Sequence, residues 1–279
     1  MTTLGILHPG SMGTAVAAQA KARGAEVLWS PAGRSAASKA RADQAGLTPA
    51  SSLSELVRRS DIILSLCPPA NAEEVAASVA AESFSGIYVD GNAVSPATMA
   101  MVNVVLRRTN AQLVDGSVIG SPPSTAKSTR LYLTGADDAA QKVAQLFEGT
   151  AVHAHVLAGD IGKASALKLS YSTFQKTSRV LAAVSYALAH DWGVEEHLLD
   201  IARGRTISYL AEVDYFPKVA ARAWRWAPEM REAESALGEA CLPTDLAEAA
   251  AAVMERWAIS KDSPVDLSEV LTRLHDALE

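Results

Sequence analysis

The 279-residue chain predicts two domains of different class, an α/β domain followed by an all-α domain. Three observations carry this. Up to about residue 158, short β-type runs alternate with Ala-rich helical stretches, the pattern that builds parallel strands with crossover helices on both faces. A glycine-bearing turn joins the first of these runs to the first helical stretch. From about Asp160 the β signal vanishes and long Ala/Leu-rich helical periodicity takes over. Domains are therefore expected over 1–158 and 159–279.

The candidate strands are Leu4–His8, Glu26–Ser30, Asp61–Leu66, Gly86–Asp90, Gln112–Asp115, Arg130–Thr134 and Val152–Val156, several ending where Gly, Pro or Asn begins. The helices of the second domain are expected at roughly 161–190, 195–213, 217–239, 243–258 and 264–278. Gly159 and Asp160 look like a turn and an N-cap, starting a helix that runs across the boundary. Val265, Leu267, Val270, Leu271 and Leu274 keep helical spacing, so the tail is expected to pack.

Composition narrows the function. With 25 Lys plus Arg against 31 Asp plus Glu, the net charge is −6, and no basic run exceeds a pair, so nucleic acid is not an expected partner. Cys67 and Cys241 are the only cysteines and lack CxxC spacing, which argues against a disulfide framework and a thiolate metal site. The N-terminal MTTLGILHPGSMG lacks the pattern of a signal peptide, and no stretch reaches about 18 uninterrupted apolar residues, so a cytoplasmic protein without a membrane partner is expected. His153 and His155 share a strand face but have no nearby carboxylate or Cys, so no metal is expected there. Trp192, Trp224, Trp226 and Trp257 read as packing residues.

The strand Leu4–His8 leads into His8-Pro9-Gly10-Ser11-Met12-Gly13 and then an Ala-rich helix, the order of a dinucleotide-binding, Rossmann-type unit. Gly10 would let backbone approach a pyrophosphate, Gly13 would let helix pack on strand, and the helix N-terminus would supply N–H groups and a positive dipole end. His8 stands where the first glycine of G-x-G-x-x-G would be. The alternative is a plain strand-to-helix turn. No Asp or Glu occurs between Glu26 and Asp43 to bind a ribose 2′-hydroxyl, whereas Arg34 can pair with a 2′-phosphate, with Ser30 and Ser35 as hydroxyl donors. NADP(H) is therefore expected over NAD(H). The competing reading has Arg34 and Ser35 merely opening a solvated helix.

Lys168, Tyr171, Ser172 and Gln175 fall at i, i+3, i+4 and i+7, on one helical face. A lysine partly removed from water near another cation, for which Lys176 is a candidate, can exchange a proton with a substrate hydroxyl near neutral pH. The alternative is a polar stripe on an amphipathic helix.

Four segments in order resemble the β-hydroxyacid dehydrogenase superfamily, which includes 6-phosphogluconate and 3-hydroxyisobutyrate dehydrogenases. Gly10-Ser11-Met12-Gly13 is similar to its G-x-M-G turn, and Asp90-Gly91-Asn92-Ala93-Val94-Ser95-Pro96 to its D-x-S-T-x-S-P segment. Asp115-Gly116-Ser117-Val118-Ile119-Gly120-Ser121-Pro122 is similar to D-A-P-V-S-G-G, and Gly159–Ser172 to G-x-x-G-x-x-x-x-x-K with Lys168 at the lysine. Asn92 and Ile119 replace substrate-binding serines, Ser121 replaces a glycine, and Tyr171-Ser172 stand where the family carries Asn-Asn or His-Asn. These departures, with Ala221-Arg222-Ala223-Trp224-Arg225-Trp226-Ala227-Pro228-Glu229-Met230, are similar to a 6-phosphogluconate-dehydrogenase-like branch with a distinct helical C-terminal domain.

The resemblance implies an NADP-dependent oxidoreductase that interconverts a hydroxy compound, a hydroxy acid in particular, and its carbonyl form. Lys168 would be the general acid/base, and the active site would lie in a cleft between the domains. Leu66-Cys67-Pro68 would pass the nicotinamide and its ribose. Asn92, Ser95, Gly120 and Ser121 would donate hydrogen bonds to a substrate carboxylate or carbonyl, although each also suits turn chemistry. Tyr171, Ser172 and Gln175 would complete the site beside the lysine. Arg222, Arg225, Trp226 and Glu229 share a helical face that would shape the pocket or recognise an acid, with an interface or an ion-pair set as the alternative. Relatives use large Ala-rich faces to dimerise, so a homodimer is expected. The competing functions are an imine reductase, whose members generally lack the lysine, and a cofactor-binding protein without turnover.

Overall fold

The computed structural model describes residues 1–191, 193–204, 209, 212–239 and 244–275, so Trp192 and Cys241 lie outside the described residues. The chain forms two compact units, Met1–Lys168 and Leu169–Glu279.

The first unit contains β1 (Thr3–Ile6), α1 (Ser11–Ala22), β2 (Glu26–Trp29), α2 (Ala36–Gln44), β3 (Thr48–Pro49), α3 (Leu53–Arg59), β4 (Ile62–Ser65), α4 (Ala72–Ala81) and β5 (Ile87–Asp90). It continues with α5 (Pro96–Leu106), β6 (Gln112–Ser124), β7 (Lys127–Gly135), α6 (Asp137–Gln145) and β8 (Val152–Val156). The strands form one eight-stranded sheet in the order β3-β2-β1-β4-β5-β6-β7-β8. β1 to β6 are mutually parallel. Because β1 lies between β2 and β4, the chain leaves it in one direction and returns on the other side, which puts the end of β1 at a topological switch point, where open α/β sheets bind ligands. Strand alternation divides the core: Ile62 and Leu64 pack with Val16, Ala17 and Ala20, while Ile63 and Tyr88 pack with Leu56, Val79 and Met99. Burial on both faces is why these strands read as continuous apolar runs.

The α/β architecture is as predicted, but the sheet is not purely parallel. The strand expected to stop at Asp115 continues to Ser124 and folds back antiparallel as β7, and β8 follows β7 in parallel. Gly116, Gly120, Pro122 and Pro123 disguise this extension as a turn. A Cβ on Gly116 would lie 3.0 Å from Val89 Cγ1, so the glycine lets the strands pack without crowding that side chain. Gly120 adopts φ 136° at the edge of a register shift, and the prolines lie within that irregular stretch between Gly120 and Ser124, outside the regular ladder. β3 was not anticipated, since two residues carry no periodicity.

α7 (Lys163–Asp191) opens in the first unit and continues into the second. The second unit adds α8 (Glu195–Arg203), α9 (Phe216–Glu239), α10 (Asp245–Glu255) and α11 (Leu267–His275). Its regular elements among the described residues are all helices, as expected. The helix predicted over 195–213 ends at Arg203 with Gly204 as its C-cap, and a 3₁₀ turn occupies Val213–Tyr215. Phe216, Val219, Ala223 and Met230 of α9 pack with Ala247 and Met254 of α10 and with Trp257 and Val270. Trp257 is fully buried and its indole N–H donates to the Val270 carbonyl at 3.0 Å. In the first unit, His155 stacks on Tyr132 with ring centroids 5.2 Å apart. No described helix is long and apolar enough to cross a membrane.

Candidate active site

The His8–Gly13 turn is built at the end of β1. Gly10 is the N-cap of α1 in an extended conformation, and no side chain among the described residues caps this helix. A Cβ on Gly13 would lie 2.3 Å from the His8 carbonyl oxygen, so the second glycine is required by helix-to-strand packing. A Cβ on Gly10 would meet nothing within 4 Å. Gly10 thus leaves space open over the helix N-terminus, where a phosphate would find N–H donors and the positive dipole end. His8 does not break the turn. Its imidazole is half-buried, and burial, with Arg34 second, lowers its pKa to about 4, so the ring is neutral at pH 7.

Arg34 lies half-buried after β2, its backbone N–H bonded to the Pro31 carbonyl at 3.2 Å. Among the described residues, Arg34 Nε and His8 Nδ1 are buried polar atoms without partners. Ser30 is buried, and Ser35 is the N-cap of α2, accepting from the Ser38 N–H at 3.2 Å. Ser35 thus opens the helix, while Arg34 sits beside the turn. Arg41 was not anticipated. Its Nε donates to the Pro9 carbonyl at 3.5 Å and its Nη2 to Ser38 Oγ at 3.1 Å. The spacing of Ser35, Ser38 and Arg41 on one face of α2 was the available signal. A cavity of about 410 Å³ is lined by His8, Arg34, Leu53, Pro68, Asn71 and Val75, among others. The glycine cradle, the open N-terminus of α1 and the orphaned guanidinium nitrogen fit a dinucleotide phosphate chain with an adenosine half in this cavity.

The ends of β4 and β5 are tied together. Asn92 is 3% exposed; its Oδ1 accepts from the Cys67 N–H at 2.6 Å and its Nδ2 donates to Ser65 Oγ at 3.2 Å. The amide expected to meet substrate thus holds the Leu66-Cys67-Pro68 segment in place. Burial pushes the Cys67 thiol up to about 11, leaving it protonated. Asp90 is fully buried, accepts from the Asn92 N–H at 3.1 Å through Oδ1 and has no partner at Oδ2 among the described residues. Burial, and secondarily the charge of Asp115, pushes its pKa up to about 7 despite that hydrogen bond. Ser95 is the N-cap of α5, accepting from the Thr98 N–H at 3.0 Å.

β6 fixes the start of α7. Asp115 Oδ2 accepts from the Gly162 N–H at 2.8 Å, the Ser165 N–H at 3.1 Å and Thr134 Oγ1 at 3.1 Å, while Oδ1 accepts from Ser165 Oγ at 2.7 Å. Ser117 Oγ donates to the Ala164 carbonyl at 2.7 Å, and Lys168 Nζ donates to the Val118 carbonyl at 2.9 Å. The expected N-cap, Asp160, is thus replaced by a buried carboxylate from another strand, and the helix begins at Lys163 rather than near 161. A carboxylate at a helix N-terminus satisfies orphan donors and complements the dipole. Asp115 and Ser117 were quoted within a motif but not singled out, because their partners lie 47–50 residues away. Gly120 and Ser121 lie exposed on the hairpin just beyond Val118.

In the second unit, Gln175 Nε2 donates to Tyr171 Oη at 3.2 Å, Tyr171 is 42% exposed and Ser172 is buried. Lys176, considered as a cationic neighbour of Lys168, is buried and ion-paired with Glu229. Trp226 is 9% exposed in the helical core, with Lys176 Nζ 5.6 Å from its ring centroid.

A glycine-bearing turn at the switch point of a mostly parallel sheet defines a dinucleotide-binding scaffold. Residues 3–159 match the family of the NAD binding domain of 6-phosphogluconate dehydrogenase, and residues 189–257 match a domain of unknown function (DUF1932). The chain belongs to the first family. An uncharacterized 28.5 kDa protein in the 7S RNA 5′ region of Methanothermus fervidus is 28% identical over 176 residues, 63% of this chain and 66% of that protein, just under two thirds of its length. The fold is shared with Mycobacterium tuberculosis 3-hydroxyisobutyrate dehydrogenase in a structure with L-serine (TM-score 0.76, 19% identity, 99% of this chain and 100% of that one). It is also shared with an imine reductase from Pseudomonas sp. (TM-score 0.58, 16% identity, 98% and 99%).

Proposed function

We propose that the protein is an NADP-dependent dehydrogenase or reductase that interconverts a hydroxy acid and its carbonyl compound, with Lys168 as general acid/base. The observation that carries this is the placement of Lys168 Nζ, 2.9 Å from the Val118 carbonyl on a helix start pinned by Asp115. When bound, the nicotinamide supplies the hydride acceptor or donor.

The His8–Gly13 turn and the first turn of α1 would hold the pyrophosphate, and Arg34, with Ser30 and Ser35, the 2′-phosphate. Leu66, Cys67 and Pro68 would line the nicotinamide ribose. Lys168 gives a proton to the substrate oxygen in reduction and takes it back in oxidation. Gly120 and Ser121 would orient the substrate, which matters because hydride transfer needs a near-attack geometry. Asn92 and Ser95, through the bonds they already make, hold the segments that flank it. A lysine suits proton exchange with an alkoxide, which favours a carbonyl over an imine substrate. Exposed Phe174, Leu181, Ile201, Leu246 and Ile259 on the second unit support a homodimer, which we place in the cytoplasm.

The test is Lys168→Met. NADPH affinity is expected to stay unchanged while turnover on a panel of hydroxy acids and carbonyl compounds falls by about 10² or more. Unchanged turnover would overturn the assignment.

A further inference from the structure

The second unit holds a cluster of guanidinium groups that the proposed chemistry does not use. Tyr215, at the end of the 3₁₀ turn before α9, is its hub. Arg179 of α7 lies 4.9 Å from the Tyr215 ring centroid and 4.3 Å from that of Tyr209. Arg222 of α9 lies 6.0 Å from the Tyr215 ring and donates to Tyr215 Oη at 3.1 Å. Arg225, one helical turn further along α9, is close enough to feel the charges of Arg222 and Tyr215, and partial burial, with Arg222 second, lowers its pKa. Stacking on tyrosine faces fixes guanidinium planes while leaving their edge N–H groups available.

The opposing charge is thin. Glu212 reaches Arg179 only at 3.6 Å and is about half exposed, and Asp262 acts on Arg225 at a distance. Among the described residues, no carboxylate lies within ion-pair distance of Arg222 or Arg225. Arg179 Nε is buried and has no partner among the described residues. Each guanidinium carries five donors, and Tyr215 Oη, the Gln175 carbonyl and Glu212 account for few of them. The like charge of Arg222 disfavours that of Arg225, and an anion bound beside them would relieve this.

We propose that Arg179, Arg222 and Arg225 form an oxyanion site in the second unit that binds a phosphate group, as free phosphate or as an organic phosphate ester. Planar, aromatic-braced guanidinium groups match phosphate oxygens in bidentate fashion. A set of three favours the dianion over a single carboxylate.

The experiment titrates the full-length protein with inorganic phosphate, glycerol 3-phosphate and acetate at constant ionic strength, read by fluorescence of Trp224 and Trp226 on the same helix. Saturable phosphate binding, weakened about tenfold or more by Arg225→Gln, is expected. Arg225 makes no hydrogen bond or ion pair among the described residues, so this variant should keep the wild-type Tm. Arg222→Lys, which keeps charge but loses the fork, should also weaken binding. Tighter glycerol 3-phosphate identifies an ester as the ligand, and equal affinity identifies free phosphate. Arg34→Ala must leave the phosphate response in place. A response abolished by Arg34→Ala alone belongs to the first unit and overturns the proposal, as does acetate binding as tightly as phosphate, or no saturable binding at all.

Discussion

Asp115 grips Ser165 twice, accepting from its backbone N–H at 3.1 Å and from its hydroxyl at 2.7 Å, across fifty residues of sequence. The same carboxylate takes the Gly162 N–H, so one side chain serves the donors at the mouth of α7. Asp115→Ala leaves these buried donors unsatisfied and should cost about 3 kcal/mol or more of stability. Urea unfolding followed by fluorescence measures it. Turnover should fall as well, because Lys168 lies one turn beyond Ser165; a variant with wild-type stability and turnover would show that the helix start is fixed by other contacts.

Gly10 and Gly13 separate cofactor binding from folding. Gly10→Ala places its methyl in open space and should leave Tm unchanged while weakening dinucleotide binding. Gly13→Ala drives a methyl into the His8 carbonyl, 2.3 Å away, and should destabilise by about 1–3 kcal/mol. Thermal melts beside cofactor titrations check both. Equal Tm losses in the two variants would remove the distinction.

Arg34→Ala should weaken NADPH by about 10- to 100-fold, the worth of a charge-assisted phosphate contact, and leave NADH nearly untouched. Fluorescence titration with the two cofactors reads the difference. Equal effects would sink the 2′-phosphate role.

Asp90 makes stability depend on pH. Its folded pKa of about 7 lies above the ordinary carboxylate value, so the folded state holds the proton more tightly than the unfolded one. The associated stability is fully present below about pH 4 and declines as pH rises to about 7. Asp90→Asn removes the buried charge while keeping an acceptor for the Asn92 N–H. The Tm of the variant relative to wild type should therefore climb between pH 5 and pH 8, by several degrees on the scale of about 2–4 °C per kcal/mol. A flat difference would refute the shift. The neutral His8 works in the opposite sense, its contribution being lost as pH falls from about 6.5 through about 4, so the comparison must be made against wild type at each pH.

The features legible in the sequence are those with local chemistry. Gly10 and Gly13 marked the switch-point turn because a glycine's effect reaches only its own neighbourhood, and the alternating strands of the first unit announced themselves by burial on both faces. Lys168 stood out through the resemblance of Gly159–Ser172 to the family's lysine segment, since its spacing from Tyr171, Ser172 and Gln175 suits a polar stripe equally well. What escaped were features set by distant partners. Nothing near Asp115 shows that it caps a helix starting 47 residues on, and Asn92 looks like a turn residue until Ser65 and Cys67 are brought beside it. The β6–β7 hairpin escaped for another reason: its glycines and prolines carry a turn signature while the ladder with β7 supplies the strand.

Asp115 and Ser117 point the same way because they are two residues apart on a strand, and the Val118 carbonyl next to them holds Lys168. Sliding β6 by a single position would present Val114 and Gly116 to the mouth of α7 in their place. Length changes near Ala126, at the hairpin tip, leave that phase intact, whereas one residue inserted between Leu113 and Ser117 inverts it. The seating of the helix is thus a question of parity, and evolution can lengthen the tip of the hairpin far more readily than its base.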